Sequence, residues 1–199
     1  MSESDREDFV LLDSIRGHDE AALQRLLRKY YERLARYAYS VLRRRDLAQE
    51  AVDNVFLNLW RRRETLTISA NLRSFLYGAV SYQSLNLLAK ENKVRHVAID
   101  DVPSEQLREQ RGADSDLLMQ ELQSDVDALL ASMPAQRQLI FRLNRIEGLR
   151  YREIAEALGL SERTVQNHML LAIEYLTSSM ERFRNRHGQK KQPDCETGR

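Results

Sequence analysis

The chain has 199 residues, of which 42% are hydrophobic and 31% charged, with a formal net charge of +1. That is enough apolar content for a soluble core divided between two small domains, and too little net positive charge for a protein that coats nucleic acid non-specifically. With only 7 Gly and 3 Pro among many Leu, Ala, Arg, Glu and Gln, the composition predicts an all-α fold. No apolar run approaches the roughly 20 residues that cross a bilayer, and the start, "MSESDREDF", lacks the pattern of a signal peptide, so a cytoplasmic protein without membrane insertion is expected. Cys195 is the single cysteine, which excludes an internal disulfide and a thiolate zinc cluster.

In chain order, Phe9, Leu12 and Ile15 form a short apolar stripe ended by Gly17. Asp19 is placed to cap a second helix, whose stripe runs through Leu23, Leu26, Leu27, Tyr30, Leu34, Tyr37, Ala38 and Val41. Asp46 is read as opening a third helix, with Val52, Val55, Phe56 and Leu59 inward and Gln49, Glu50, Asp53, Asn54, Asn58 and Arg61 outward. Ser69 or Asn71 is read as opening a fourth, with Leu72, Phe75, Leu76, Ala79, Val80 and Leu87 inward and Arg73, Tyr77, Tyr82, Gln83, Asn86 and Lys90 on its polar side. Basic clusters at Arg43 to Arg45, at Arg61 to Arg63 and at Lys90, Lys93 and Arg95 contrast with the acidic stretch of Asp100, Asp101, Glu105, Asp114 and Asp116.

Periodicity fades in "IDDVPSEQLREQRGADSD", which reads as a flexible linker. A second helical unit then starts with Ser115 as cap and Leu118, Leu122, Val126, Leu129 and Leu130 inward. Pro134 suits the first turn of the next helix, which buries Leu139, Ile140, Leu143 and Ile146 before a left-handed Gly148. In "YREIAEALGLSERTVQNHMLLAIEYL", Ile154, Ala155 and Leu158 bury one short helix, Gly159 ends it and Ser161 caps the next. That last helix turns Val165, Met169, Ala172, Ile173 and Leu176 inward.

This is the pattern of a helix-turn-helix. Arg163, Thr164, Gln166, Asn167 and His168 lie near the start of its second helix, where side chains meet base edges in a major groove. Gln and Asn match an adenine edge, Arg matches guanine, and Arg150 and Arg152 are placed for flanking phosphates. The histidines His18, His96, His168 and His187 are dispersed, and neither a Gly-rich phosphate loop nor a nucleophile pattern is present. Neither an enzyme site nor a metal or cofactor site is therefore read here.

Four segments in order, "HDEAALQRLLRKYYERLARYAYSVL", "AQEAVDNVFLNLW", "LRSFLYGAVSYQSLNLLAKENK" and "SMPAQRQLIFRLNRIEGLRYREIAEALGLSERTVQNHMLLAIEYL", resemble conserved segments of extracytoplasmic-function sigma factors of bacterial RNA polymerase. The resemblance runs from about Ala21 to Leu176 and implies two small helical domains joined by a flexible linker. A region 2-like bundle would occupy residues 1–95, an acidic linker 96–115, a region 4-like helix-turn-helix domain 116–184 and a disordered tail 185–199.

By the same resemblance, Gln49, Asp53, Asn54, Asn58 and Arg61 would dock on the clamp of the polymerase's largest subunit. The loop residues Arg62, Arg63 and Asn71, with Arg73, Tyr82, Gln83, Asn86 and Lys90, would read the minus-ten element, capturing a base freed from the melting duplex. The recognition helix would read the minus-thirty-five element. Core polymerase, including its flap, and promoter DNA are the partners implied, and the resemblance also admits an anti-sigma protein.

Two departures qualify the pattern. Tyr82 stands where many relatives have Asn, which predicts a changed base preference, and Arg150 replaces the usual small cap before the penultimate helix. The alternative is a helix-turn-helix regulator that acts without core polymerase; binding to core separates the two.

Overall fold

A computed structural model describes residues 3–68, 71–97 and 127–188, and the described residues contain helices and no strand. The first half comprises α1 (Glu3–Arg16), α2 (Glu20–Leu42), α3 (Arg45–Arg61) and α4 (Leu72–Val97). After a helical turn at residues 127–131, the second comprises α5 (Ala135–Arg145), α6 (Tyr151–Leu158) and α7 (Glu162–Gly188). No described helix is long and apolar enough to cross a membrane.

Local chemistry sets the helix ends. Asp19 Oδ1 accepts from the backbone N–H of Ala21 at 2.8 Å and of Ala22 at 3.1 Å, satisfying donors that have no partner inside α2. Asn71 Oδ1 accepts from Ser74 N at 2.8 Å, so Asn71 is the cap of α4; Ser69 lies outside the described residues. Gly148 and Gly159 take positive φ of 70° and 65°, the backbone each turn requires. The cap of α3 is Arg44 and not Asp46. Asp46 sits in the first turn of α3, where the Arg44 guanidinium bonds it and holds its carboxyl below the usual range. Pro134 likewise stands one position before α5, as its cap residue.

Leu26, Leu34, Ala51, Val52, Leu76 and Val80 are fully buried where α2, α3 and α4 meet. Each such leucine contributes on the order of 1.5–3 kcal/mol by leaving water. The same apolar cluster continues without a break into the second half through Leu139, Ile140, Leu143, Leu149, Ile154, Val165 and Met169. The two halves are therefore packed on one another in this arrangement. Gly78 makes it possible: a Cβ there would lie 2.3 Å from the carbonyl oxygen of Ala157, so only glycine lets the backbones of α4 and α6 come this close.

Three apolar expectations and one polar one need correction. Phe9 is 43% exposed, because the buried register of α1 is Asp8, Leu12 and Ile15. Asp8 takes the inward place through bonds from Lys29 Nζ at 2.7 Å and the Tyr30 hydroxyl at 2.5 Å. Ile146 is exposed, since the chain turns at Gly148 and inserts Leu149 in its stead. Ile173 is exposed one residue off the register of Val165, Met169 and Ala172. Tyr77, assigned to the polar side of α4, is buried under the second half. Residues 185–188, read as part of a disordered tail, continue α7. The expectations for the linker, for Ser115, Leu118, Leu122 and Val126, and for residues 189–199 lie outside the described residues.

Candidate nucleic-acid interface

Three helix faces carry the residues singled out from the sequence. The first is the start of α7. Gly159 closes α6 with its N–H on the carbonyl of Ala155, and two residues later Ser161 Oγ accepts from Thr164 N at 3.0 Å. Burial of Val165 and Met169 fixes the rotation of α7. Arg163, Gln166 and Asn167, at i, i+3 and i+4, consequently share the exposed face. Thr164 is half-buried, and its hydroxyl is shared with Ser161 at 2.7 Å. His168 is half-buried with an unpartnered Nδ1, off the face formed by the other three.

Beside this face, Arg152 is 81% exposed and its Nε lies 3.1 Å from Glu156. Arg150 opens α6 without an acceptor of its own, a guanidinium having none. Glu153 supplies the other half of the box by accepting from Arg150 N at 2.8 Å, which offsets the poor cap residue.

The second face lies on α4 and the loop before it. Tyr82, Asn86 and Lys90 are exposed and spaced at i, i+4 and i+8, with half-buried Gln83 alongside. Three of the four remaining members of the expected set are occupied elsewhere. Asn71 Nδ2 donates to Glu153 Oε1 at 2.7 Å, across to the second half. Arg73 donates to the carbonyl of Glu147 and stands 5.9 Å from the centre of the Tyr77 ring. Arg63 covers the Trp60 ring at 4.4 Å and donates to the Trp60 carbonyl at 2.7 Å. Arg62 is exposed.

Glu147 and Glu153 were not foreseen as partners of these residues, because their roles depend on packing between distant segments. Tyr77 donates to Glu147 Oε2, and its ring meets Tyr37 edge-on at 5.3 Å. Burial, with this bond, pushes the Tyr77 hydroxyl well above its ordinary pKa. Gly78 was the one available signal, as a glycine inside an otherwise strong helix pattern marks a close approach.

The third face is on α3. Gln49, Asp53, Asn58 and Arg61 are exposed and Asn54 is half-buried. Asp53 Oδ1 accepts from the Tyr31 hydroxyl at 2.9 Å. Leu57, 44% exposed, stands among them at i+4 from Asp53. An apolar group within a polar helix face is a common element of a docking surface. Among the described residues no group of His, Cys, Asp and Glu side chains could hold a metal ion.

Comparison with known families places these faces in context. The family description sigma-70 region 2 matches residues 26–94, and sigma-70 region 4 matches residues 123–176. No curated protein matches the sequence. Among solved structures, CnrH in complex with the cytosolic domain of CnrY is similar, with a TM-score of 0.66, 16% identity, and coverage of 88% of this chain and 97% of that one. The sigma factor RpoE in complex with the anti-sigma factor NepR, from Bartonella quintana, gives a TM-score of 0.63 and 17% identity over 79% of this chain and 96% of that one. At such identities the likeness is one of fold.

Proposed function

The chain belongs to the sigma-70 family, and we propose from that premise that it is an extracytoplasmic-function member, which joins bacterial core RNA polymerase in the cytoplasm and directs it to promoters. The α3 face of Gln49, Asp53, Asn54, Asn58 and Arg61 docks on the clamp of the largest subunit, with Leu57 adding apolar contact. Tyr82, Gln83, Asn86 and Lys90 engage the minus-ten strand, Tyr82 as a stacking surface and the two amides at a freed base edge. Arg163, Gln166 and Asn167 read the minus-thirty-five element, with Arg150 and Arg152 on phosphates.

The observation that carries this reading is the rotation of α7. Buried Val165 and Met169 leave Arg163, Gln166 and Asn167 together on the exposed side of a capped helix, as a recognition helix requires. The chain performs no chemistry of its own in this scheme; it lends specificity to the polymerase. The two solved structures described above are complexes with a second protein, one of them an anti-sigma factor. That supports a regulator of the anti-sigma kind as a further partner.

Run-off transcription from a genomic fragment library, with core polymerase in the presence and absence of this protein, tests the proposal. New RNA starts that share two spaced upstream motifs are expected. Absence of new starts together with failure to co-elute with core would overturn it, leaving a DNA-binding regulator that works without polymerase.

A further inference from the structure

Where α2, α4 and α5 meet there is a cavity of about 460 Å³, within the range of about 300–1,000 Å³ usual for small-ligand sites. Its lining is unlike that of most such sites, which are mainly apolar. Arg33 and Arg36 of α2, Arg73 of α4 and Arg142 of α5 line it together with one carboxylate residue, Glu147. Glu147 already accepts from Tyr77. Arg142 is only 3% exposed; it bonds Asp127 at 2.8 Å, but its Nε is buried with no acceptor. The nearest carboxylate to Arg36 is Glu32 at 4.0 Å, with both side chains largely in water. Four guanidinium groups drawn from both halves of the chain thus line one small space in which, among the described residues, Glu147 is the one carboxylate of the lining.

Like charges held together repel, and a buried guanidinium N–H without an acceptor costs free energy. A ligand that relieves the repulsion must be anionic, compact and rich in acceptor oxygens. Guanidinium groups fit phosphate oxygens in paired geometry. Only Tyr37 and Ile146 offer apolar wall, which is too little to seat a peptide helix.

We propose that this cavity binds a small, multiply charged phosphate compound, of the inorganic pyrophosphate or nucleoside polyphosphate class. Because the lining comes from both halves, such a ligand binds only their packed arrangement and stabilises it by mass action. It thereby couples a soluble phosphate compound to the contacts that occupy Asn71 and Arg73.

Titration calorimetry of the full chain with inorganic pyrophosphate, against sodium chloride at matched ionic strength, tests this. Saturable binding at one site and a raised unfolding midpoint are expected. In Arg33→Gln and in Arg36→Gln the affinity should fall about tenfold, the worth of one charge-assisted bond. Both residues are exposed, so the unfolding midpoint of each variant without pyrophosphate should not fall below that of the parent. Heat that follows ionic strength alone, or unchanged affinity in the double variant, would overturn the proposal. Displacement of pyrophosphate by a short random-sequence DNA duplex in the parent but not in the double variant would also overturn it, by assigning these arginines to the DNA backbone.

Discussion

At the start of α7 and at the start of α4, a polar side chain closes the helix by accepting from a backbone N–H three residues on: Ser161 from Thr164 at 3.0 Å, Asn71 from Ser74 at 2.8 Å. The two caps diverge in what they have left over. Ser161 spends its hydroxyl within its own turn, shared with Thr164, and the helix beyond presents Arg163, Gln166 and Asn167 to solvent. Asn71 keeps an amide donor, which crosses to Glu153 at 2.7 Å, and its neighbour Arg73 bonds the carbonyl of Glu147. One of the two proposed reading surfaces is thus open while part of the other is engaged by the opposite half of the molecule. For Asn71 or Arg73 to reach DNA, those bonds must break; Tyr82, Asn86 and Lys90, further along α4, have no such requirement.

The largest effect is expected where the halves touch most closely. Gly78→Leu would drive a side chain into the backbone at Ala157, where even a Cβ would stand 2.3 Å from the carbonyl oxygen. Overpacking of that kind should cost the interface about 3 kcal/mol or more. We expect small-angle scattering to show an expanded molecule, with helix content retained because leucine favours the α4 backbone over glycine. An unchanged radius of gyration would mean that the contrast between an open and an engaged surface is not set by this contact.

A smaller but more selective test concerns Glu147. Glu147→Ala leaves the hydroxyl of buried Tyr77 without its acceptor, at a cost of about 2 kcal/mol. Tyr77→Phe removes the hydroxyl itself, so the double variant should lose clearly less than the two single losses added together. Denaturant midpoints measure this cycle. Strict additivity would show that Tyr77 and Glu147 do not act as a pair, and that Arg73 is held by the backbone of the turn alone.

On the open side, Gln166→Ala or Asn167→Ala should weaken holoenzyme binding by about 1.5 kcal/mol at one upstream base pair, relaxing preference there. Competition among single-base variants of a promoter checks it. Equal weakening on every variant would place these amides on phosphates and remove the base-reading role.

How much of this could be read from the residues follows from the range of the forces involved. The caps at Asp19, Ser161 and Asn71 and the turn glycines Gly148 and Gly159 depend on neighbours within a few positions, so their residue types announced them. The shared exposed face of Arg163, Gln166 and Asn167 was legible because burial of Val165 and Met169 fixes it by helical periodicity alone. Tyr77 was misplaced because α4 is covered on two sides, and a stripe argument assumes one. Asp8 was passed over in favour of Phe9 because its burial depends on Lys29 and Tyr30, more than twenty positions away. Glu147 and Glu153 were invisible for the same reason, as acidic residues in a turn and a first helical turn are ordinarily explained by local solvation and by the helix dipole.

The smallest expected effect lies at Arg152, beside the proposed recognition helix, and it separates electrostatic from structural roles there. In the free protein Arg152 faces Glu156 at 3.1 Å while remaining largely in water, an exposed i,i+4 pair worth only about 0.3–0.5 kcal/mol. A DNA phosphate would have to displace that carboxylate. Arg152→Ala should therefore weaken promoter binding evenly across upstream sequences and reduce the slope of log affinity against log salt by about one. Glu156→Gln should act in the opposite direction, since it releases Arg152 and removes a charge that repels the backbone. The fold should hardly register either change, because neither side chain is buried. Filter binding of the holoenzyme over a salt series measures both. A loss in Arg152→Ala confined to one base pair, or a weakening in Glu156→Gln, would show that the pair orders the α6 surface and does not contact phosphate.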